Sequence, residues 1–332
     1  MRELLILDGG TGRELARQGA PFRVPEWSAL ALIEAPEFVR RVHAAYLSAG
    51  AQVITTNSYA VVPFHLGAER FARDGERLAA LAGQLAREAV VQDASERIRQ
   101  AGPAGRVAAQ AVGPAEQVAA RHPGPAVRVA GSLPPVCGSY RADLFDQAAA
   151  RPILATLVRG LRQHVDLWLA ETLSTTQEAR LVRDVLGEDA RPLWLSFTLQ
   201  DEPGRAPEPS LRSGETVASA VLAALELKAE ALLFNCSQPE VMAAALAAAQ
   251  AVLGTQATSL PLGVYANAFP PQPADAQANA GLDPIRDDLT PAGYLRFAEE
   301  WQARGASMVG GCCGIGPEHI AALSAAKACA HR

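Results

Sequence analysis

Ala231-Leu232-Leu233-Phe234-Asn235-Cys236-Ser237 is a short apolar run that stops abruptly at polar residues, and Pro239 then opens an Ala-rich helical stretch. A continuous apolar run, rather than an alternating one, is the pattern of a parallel strand buried on both faces. The unit is therefore a strand, a polar turn and a helix. It recurs in both directions along the chain. Apolar runs at 4–7, 53–56, 127–130, 167–170, 193–197, 231–234, 262–265 and 307–310 give eight predicted strands.

Helical patterns lie between them. Residues 36–49 place Phe38, Val42, Ala45, Tyr46 and Ala49 at helical spacing, with Gly50 as a stop. Thr290-Pro291 supplies an N-cap and a first-position proline for a helix through Leu295, Phe297 and Trp301 to Gly305. A last helix is predicted over 317–328. Eight alternating units predict an α/β fold, a (β/α)8 TIM barrel, with residues 1–332 forming a single domain. A doubly wound open sheet is the competing arrangement. Three connections are long: 60–126, which must hold a long helix and extra loop, 200–213 and 267–289. In a barrel the loops that follow strands carry the site.

The 332 residues are 49% hydrophobic, enough for a large core, but only 5% aromatic, so that core is built from Ala, Leu and Val. A net charge of -5 and no Lys/Arg run argue against a nucleic-acid partner. The apolar start at residues 4–7 is too short for a signal peptide, and the longest apolar stretch, 241–253, is too short to span a bilayer. The expectation is a cytoplasmic protein with no membrane partner. Five cysteines, an odd number, make a poor disulfide framework and favour reduced or metal-bound thiols.

Three of those cysteines sit at strand ends. Gly310-Gly311-Cys312-Cys313-Gly314 closes the eighth predicted strand, where the glycines let the backbone turn and bring two sulfurs to one point. Cys236 closes the sixth. Both strand ends open on the same face of a barrel, so Cys236, Cys312 and Cys313 can meet one metal. Three thiolates around Zn2+ leave the fourth tetrahedral position for a substrate. The plain alternative is that all three are small core residues. Cys137, in the loop after the third strand, and Cys329, near the C-terminus, have no such setting. A zinc ion with three thiolate ligands is electron-rich and suited to holding another thiolate; zinc binding brings a thiol pKa of about 8.5 below neutral. The chemistry expected is attack of a substrate sulfur on an electrophilic carbon.

Other strand ends offer polar groups. Asp8-Gly9-Gly10-Thr11-Gly12 follows the first strand; its glycines let backbone N–H groups approach a small anion, and Asp8 can face an ammonium. As a phosphate loop the run fits no pattern, and a plain turn is the alternative. Glu171-Thr172 ends the fourth strand, and Asp8 and Glu171 together can grip an amino-acid ammonium. Thr55-Thr56-Asn57-Ser58-Tyr59 ends the second, with hydroxyl and amide donors and one aromatic face. Trp27 is placed to stack on a cation or simply to pack. The histidines make no site: His43, His164 and His319 fall in predicted helices, His65 and His122 in loops.

Taken together, these segments resemble the homocysteine S-methyltransferase family over nearly the whole chain. The resemblance runs through Asp8-Gly9-Gly10, Trp27-Ser28, Pro36-Glu37-Phe38, residues 46–51, Thr55-Thr56-Asn57-Ser58-Tyr59, Glu171-Thr172, Asn235-Cys236 and Gly310-Gly311-Cys312-Cys313-Gly314. It implies a (β/α)8 barrel, zinc on Cys236, Cys312 and Cys313, and a homocysteine ammonium held by Asp8 and Glu171. Gly9, Gly10, Trp27, Asn57, Tyr59, Thr172 and Asn235 complete the expected substrate-binding set. The single aromatic in residues 57–61 is closer to members using S-methylmethionine or S-adenosylmethionine than to betaine users. The segment Tyr265-Ala266-Asn267-Ala268-Phe269 departs from the Pro-Asn-Ser-Gly-like turn of many S-methylmethionine users. The implied reaction moves a methyl group from such a sulfonium to the homocysteine thiol, forming methionine. Betaine or another donor, a different thiol or selenol such as selenocysteine, and a non-catalytic zinc-binding barrel stay open. The implied partners are small molecules, homocysteine and a methyl donor.

Overall fold

The computed structural model describes residues 3–100, 127–272 and 284–330. The eight strands are β1 (Leu5–Ile6), β2 (Val53–Thr55), β3 (Arg128–Leu133), β4 (Leu167–Leu173), β5 (Leu193–Phe197), β6 (Ala231–Asn235), β7 (Leu262–Tyr265) and β8 (Ala306–Val309). They form one sheet in the order β1-β8-β7-β6-β5-β4-β3-β2, parallel throughout. The two ends of that order join: Leu7 bridges Val53 in parallel, Asp8 N–H donates to Val53 O at 3.0 Å, and Gln52 N–H donates to Ile6 O at 2.8 Å. The sheet closes on itself, which excludes the doubly wound alternative and makes the (β/α)8 barrel.

Side chains alternate between the two faces of each strand. In β6, Leu232 and Phe234 pack outward under the helices, while Ala231 and Leu233 join Leu7, Val53, Leu167, Leu169, Trp194 and Met308 inside the barrel. In β2 to β6 the last inward position lies two residues beyond Val53, Ala130, Leu169, Trp194 and Leu233. There the interior turns polar: Thr55, Ser132, Glu171, Ser196 and Asn235, with Tyr265 beside them. The apolar layers below seal the barrel, so this polar layer is its floor at the C-terminal end. Glu171 and Asn235 thus face the barrel axis because 167, 169, 171 and 231, 233, 235 obey the strand period of two.

Local signals place the helices as expected. Thr175 and Glu178 make a capping box on the helix Thr176–Leu186, and Thr290 caps Pro291–Ala303 through Gly293 N–H. The long helix after β2 runs Ala68–Gln100; the rest of that predicted connection, with His122, lies outside the described residues, as does 273–283 of the connection after β7. Several expectations are corrected. β4 continues past Ala170 to Leu173 through a register irregularity, with Thr172 at φ 59°. The polar Glu171-Thr172 ends the apolar run but not the strand. β8 starts one residue earlier than expected, at Ala306. Two short helices, Thr11–Arg17 and Ala29–Glu34, fill the loop after β1. His65 sits in the one-turn helix Pro63–Leu66 rather than in a loop, and His164 follows the helix Gln147–Leu161 in a turn.

Candidate metal and substrate site

The three strand-end cysteines converge. Their sulfurs all lie within 4.8 Å of one another, and Cys312 Sγ donates to Cys236 Sγ at 3.1 Å. Four ligands at a metal–sulfur distance of about 2.3 Å make a tetrahedron with edges of about 3.8 Å, and three sulfurs within 4.8 Å of one another are close enough to share one such ion. Backbone form explains the convergence. Cys236 takes a left-handed φ of 53° at the exit of β6, which turns its sulfur over the barrel mouth. At Gly311 the chain folds back so tightly that a Cβ would sit 2.1 Å from Ile315 Cγ2. Cys137 and Cys329 stand apart, the first half-buried, the second exposed.

Three thiols this close, Cys236 buried and Cys312 and Cys313 half-buried, share a proton problem. Cys313 is held well below the ordinary thiol range by hydrogen bonds from Cys236 and Cys312, and Arg13's charge adds to this. Cys312 is pushed well up by its hydrogen bonds with the other two and by burial. One thiolate is stable among them; a cation is what would let all three ionise. This donor set fits a soft or borderline metal ion.

The thiols form one wall of a cavity of about 170 Å³, a size for small molecules. Asp8, Gly9, Gly10, Trp27, Asn57, Tyr59, Glu171 and Thr172 from the sequence reading all line it. Asp8 accepts from Thr55 N–H at 2.7 Å and from Thr55 Oγ1 at 3.1 Å, yet burial outweighs these bonds and, with the Glu171 charge nearby, raises its pKa to about 8. Burial raises Glu171 to about 7, although the Ser132 hydroxyl donates to its Oε1 and Tyr265 donates to its Oε2 at 3.3 Å. These are two buried carboxyls whose hydrogen-bond partners Thr55, Ser132 and Tyr265 are neutral and do not balance their charge. A ligand ammonium would do so.

Two residues of the expected set turn out to be occupied differently. Asn235 is fully buried and does not reach the cavity: its Oδ1 accepts from Thr172 N–H and Ser196 Oγ, and its Nδ2 donates to Thr172 Oγ1. Gly10 N–H already donates to Ile315 O at 3.0 Å, and a Cβ on Gly10 would meet Cys312 O at 2.4 Å. That glycine serves close packing of β1's loop on the cysteine loop, more than anion capture. Asn57 Nδ2 donates to Ser28 O at 3.0 Å, pinning the segment next to Trp27. Trp27, at φ 49°, stands edge-on to Phe22 at 5.5 Å and to His65 at 6.3 Å.

Thr55, from the strand-end segment already singled out, also lines the cavity, as do His65, Ser139, Tyr140, Tyr265, Phe269 and Gln272, which were not in the expected substrate-binding set. The Tyr140 hydroxyl lies 2.9 Å from Cys236 Sγ, and the Tyr59 hydroxyl lies 2.7 Å from Ser139 Oγ. The parity of β7 would have found Tyr265. Tyr140 comes from an irregular loop at φ 67°, for which no periodicity exists.

A closed parallel barrel carries at its C-terminal mouth three thiols that could hold one metal ion, beside two buried carboxyls and a cavity of small-molecule size. Known proteins narrow its class. The family model for homocysteine S-methyltransferase matches residues 5–327. The homocysteine S-methyltransferase of Escherichia coli (strain K12) is 33% identical over 98% of this chain and 95% of its own. The selenocysteine methyltransferase of Astragalus bisulcatus is 26% identical over 95% of this chain and 90% of its own. The metallated form of the Escherichia coli homocysteine methyltransferase MmuM superposes with a TM-score of 0.69 at 29% identity, covering 98% of this chain and 96% of that one. The chain belongs to the homocysteine S-methyltransferase family and is a methyltransferase. Among the described residues no helix is long and apolar enough to cross a membrane.

Proposed function

We propose that this protein transfers a methyl group from a sulfonium donor, S-methylmethionine or S-adenosylmethionine, to the thiol of L-homocysteine, forming methionine. The carrying observation is the meeting of Cys236, Cys312 and Cys313 with the buried carboxyls of Asp8 and Glu171 in one small cavity. The three cysteines are the residues that would hold Zn2+. Bound zinc lowers the pKa of a coordinated thiol, so the acceptor sulfur is available as thiolate at neutral pH.

The chain's own residues do the rest. Asp8 and Glu171 bind the homocysteine ammonium, which draws both carboxyls into their charged form. Thr55, Ser132 and Tyr265 fix the two carboxyls in place through the hydrogen bonds described above. Gly9 and Gly10 keep the wall thin beside the cysteine loop, and Thr172 and Asn235 set the backbone that carries Glu171. Asn57 and Tyr59 shape the side facing Trp27, whose ring offers a face to the donor's positive charge. The acceptor sulfur attacks the methyl carbon, the carbon–sulfonium bond breaks, and its electron pair leaves with the departing thioether. Alignment of the two substrates supplies much of the rate. Opposite charges cancel in this step, which a water-poor cavity favours. We read residues 1–332 as one cytoplasmic domain.

A second reading, methyl transfer to a selenol such as selenocysteine, is favoured by the likeness to the Astragalus enzyme. One assay tests both: purified zinc-loaded protein with homocysteine or selenocysteine against S-methylmethionine, S-adenosylmethionine, betaine and methylfolate. The proposal expects fastest turnover with homocysteine and a sulfonium. Turnover only with betaine or methylfolate, or none with homocysteine, refutes it.

A further inference from the structure

Behind the cysteine wall lies an ion pair that the reaction as described does not use. Arg212 Nη2 and Asp201 Oδ1 are 2.6 Å apart, with side chains 1% and 0% exposed. Burying two charges is costly, and a buried pair is weak evidence for stability; its best-attested use is to fix one arrangement over others. The arrangement here is that of the site loops. Asp201, after β5, accepts from Gln238 N–H at 3.0 Å, after β6, and from Gln272 N–H at 3.2 Å, after β7. Arg212 donates from Nη1 to Gln272 O at 3.0 Å. Its guanidinium also lies over the Tyr140 ring, 5.2 Å from the centroid, in the loop after β3. Arg212 Nε is buried with no hydrogen-bond partner, so the group is not placed there to satisfy its own donors. Tyr140, in turn, holds its hydroxyl 2.9 Å from Cys236 Sγ.

We infer that Arg212, anchored by Asp201, is a positioning residue: it holds the Tyr140 ring so that the Tyr140 hydroxyl hydrogen-bonds the Cys236 sulfur, and thereby tunes the metal site. A hydroxyl donating to a ligating sulfur fixes that ligand's orientation and shares its charge. Partners of this kind are worth about 10–100-fold in metal affinity or activity. The inference rests on the reading that Cys236 is a metal ligand.

The test is a double-mutant cycle read by zinc affinity in competition with a chelator, which needs no turnover. Arg212→Met and Tyr140→Leu should each weaken zinc by about 10-fold or more. The double variant should be little worse than either alone, because both remove one linkage. Additive losses, or an Arg212→Met affinity within about twofold of wild type, overturn the inference. If Arg212→Met does not fold, Arg212→Lys replaces it in the cycle. Lysine keeps the charge toward Asp201 but loses the planar face over the ring, so zinc should still weaken. Wild-type protein that binds no zinc would instead overturn the metal reading itself.

Discussion

Asn235 holds Thr172 by both ends of its amide: Oδ1 accepts the Thr172 N–H at 3.0 Å, and Nδ2 donates to Thr172 Oγ1 at 2.9 Å. This clasp joins β6 to β4 where both chains take left-handed φ, at Cys236 and Thr172. It links the residue before Cys236, a proposed metal ligand, to the residue after Glu171, a proposed ammonium partner. Asn235→Ala leaves a buried N–H and hydroxyl unsatisfied, which costs about 2 kcal/mol of stability. Denaturant titration should show that loss, and steady-state kinetics should show a higher KM for homocysteine as Glu171 loses its register. Unchanged stability and KM would mean that the clasp is incidental.

The two carboxyls give a pH dependence of defined sign. Burial raises Asp8 to about 8 and Glu171 to about 7, above the ordinary 3.8 and 4.5. The ligand-free fold therefore binds more protons than the unfolded chain across that interval, and their contribution to stability falls as pH rises through 7 and 8. Every tenfold difference in proton affinity between the two states is worth about 1.4 kcal/mol. An ammonium ligand reverses the preference, so homocysteine binding should release protons near pH 7. Calorimetry in buffers of different ionisation enthalpy measures this, and Asp8→Asn should reduce it. Proton release unaffected by Asp8→Asn would exclude Asp8 as the ammonium partner.

A second pH effect has no connection with the site. His43 is fully buried in the helix Pro36–Ser48, neither ring nitrogen has a hydrogen-bond partner, and burial lowers its pKa from 6.5 to about 4. The unfolded chain takes up this proton first, so stability is lost as pH falls from 6.5 towards 4, by about 3 kcal/mol at full extent. His43→Leu should flatten that acid limb in thermal melts between those pH values. An acid limb of unchanged slope would mean that other groups carry it.

The barrel was legible because every strand core is a run of apolar residues, which stays apolar when buried on both faces. The cysteine cluster was legible for a related reason: Cys236 ends one strand, and Cys312 and Cys313, between glycines, end another, so their sulfurs meet at the barrel mouth. What stayed hidden depended on contacts between distant segments. Glu171 and Thr172 read as a strand end, since polar residues broke the run, but the strand continues through them to carry the carboxylate inward. Asn235 read as a substrate contact, although its amide is spent on Thr172 and Ser196. Tyr140 and Arg212 lie in irregular loops, and their partnership with Cys236 spans β3, β5 and β6, which no local pattern encodes.

The central claim, a tri-cysteine zinc site that activates the acceptor thiol, is tested most directly by metal analysis of wild type, Cys236→Ala and Cys313→Ala alongside methyl transfer to homocysteine. Wild type should carry about one zinc per chain, and each variant should lose both zinc and methyl transfer while keeping its fold. Variants that keep stoichiometric zinc would contradict the site, and variants that lose zinc yet still methylate homocysteine would contradict its role.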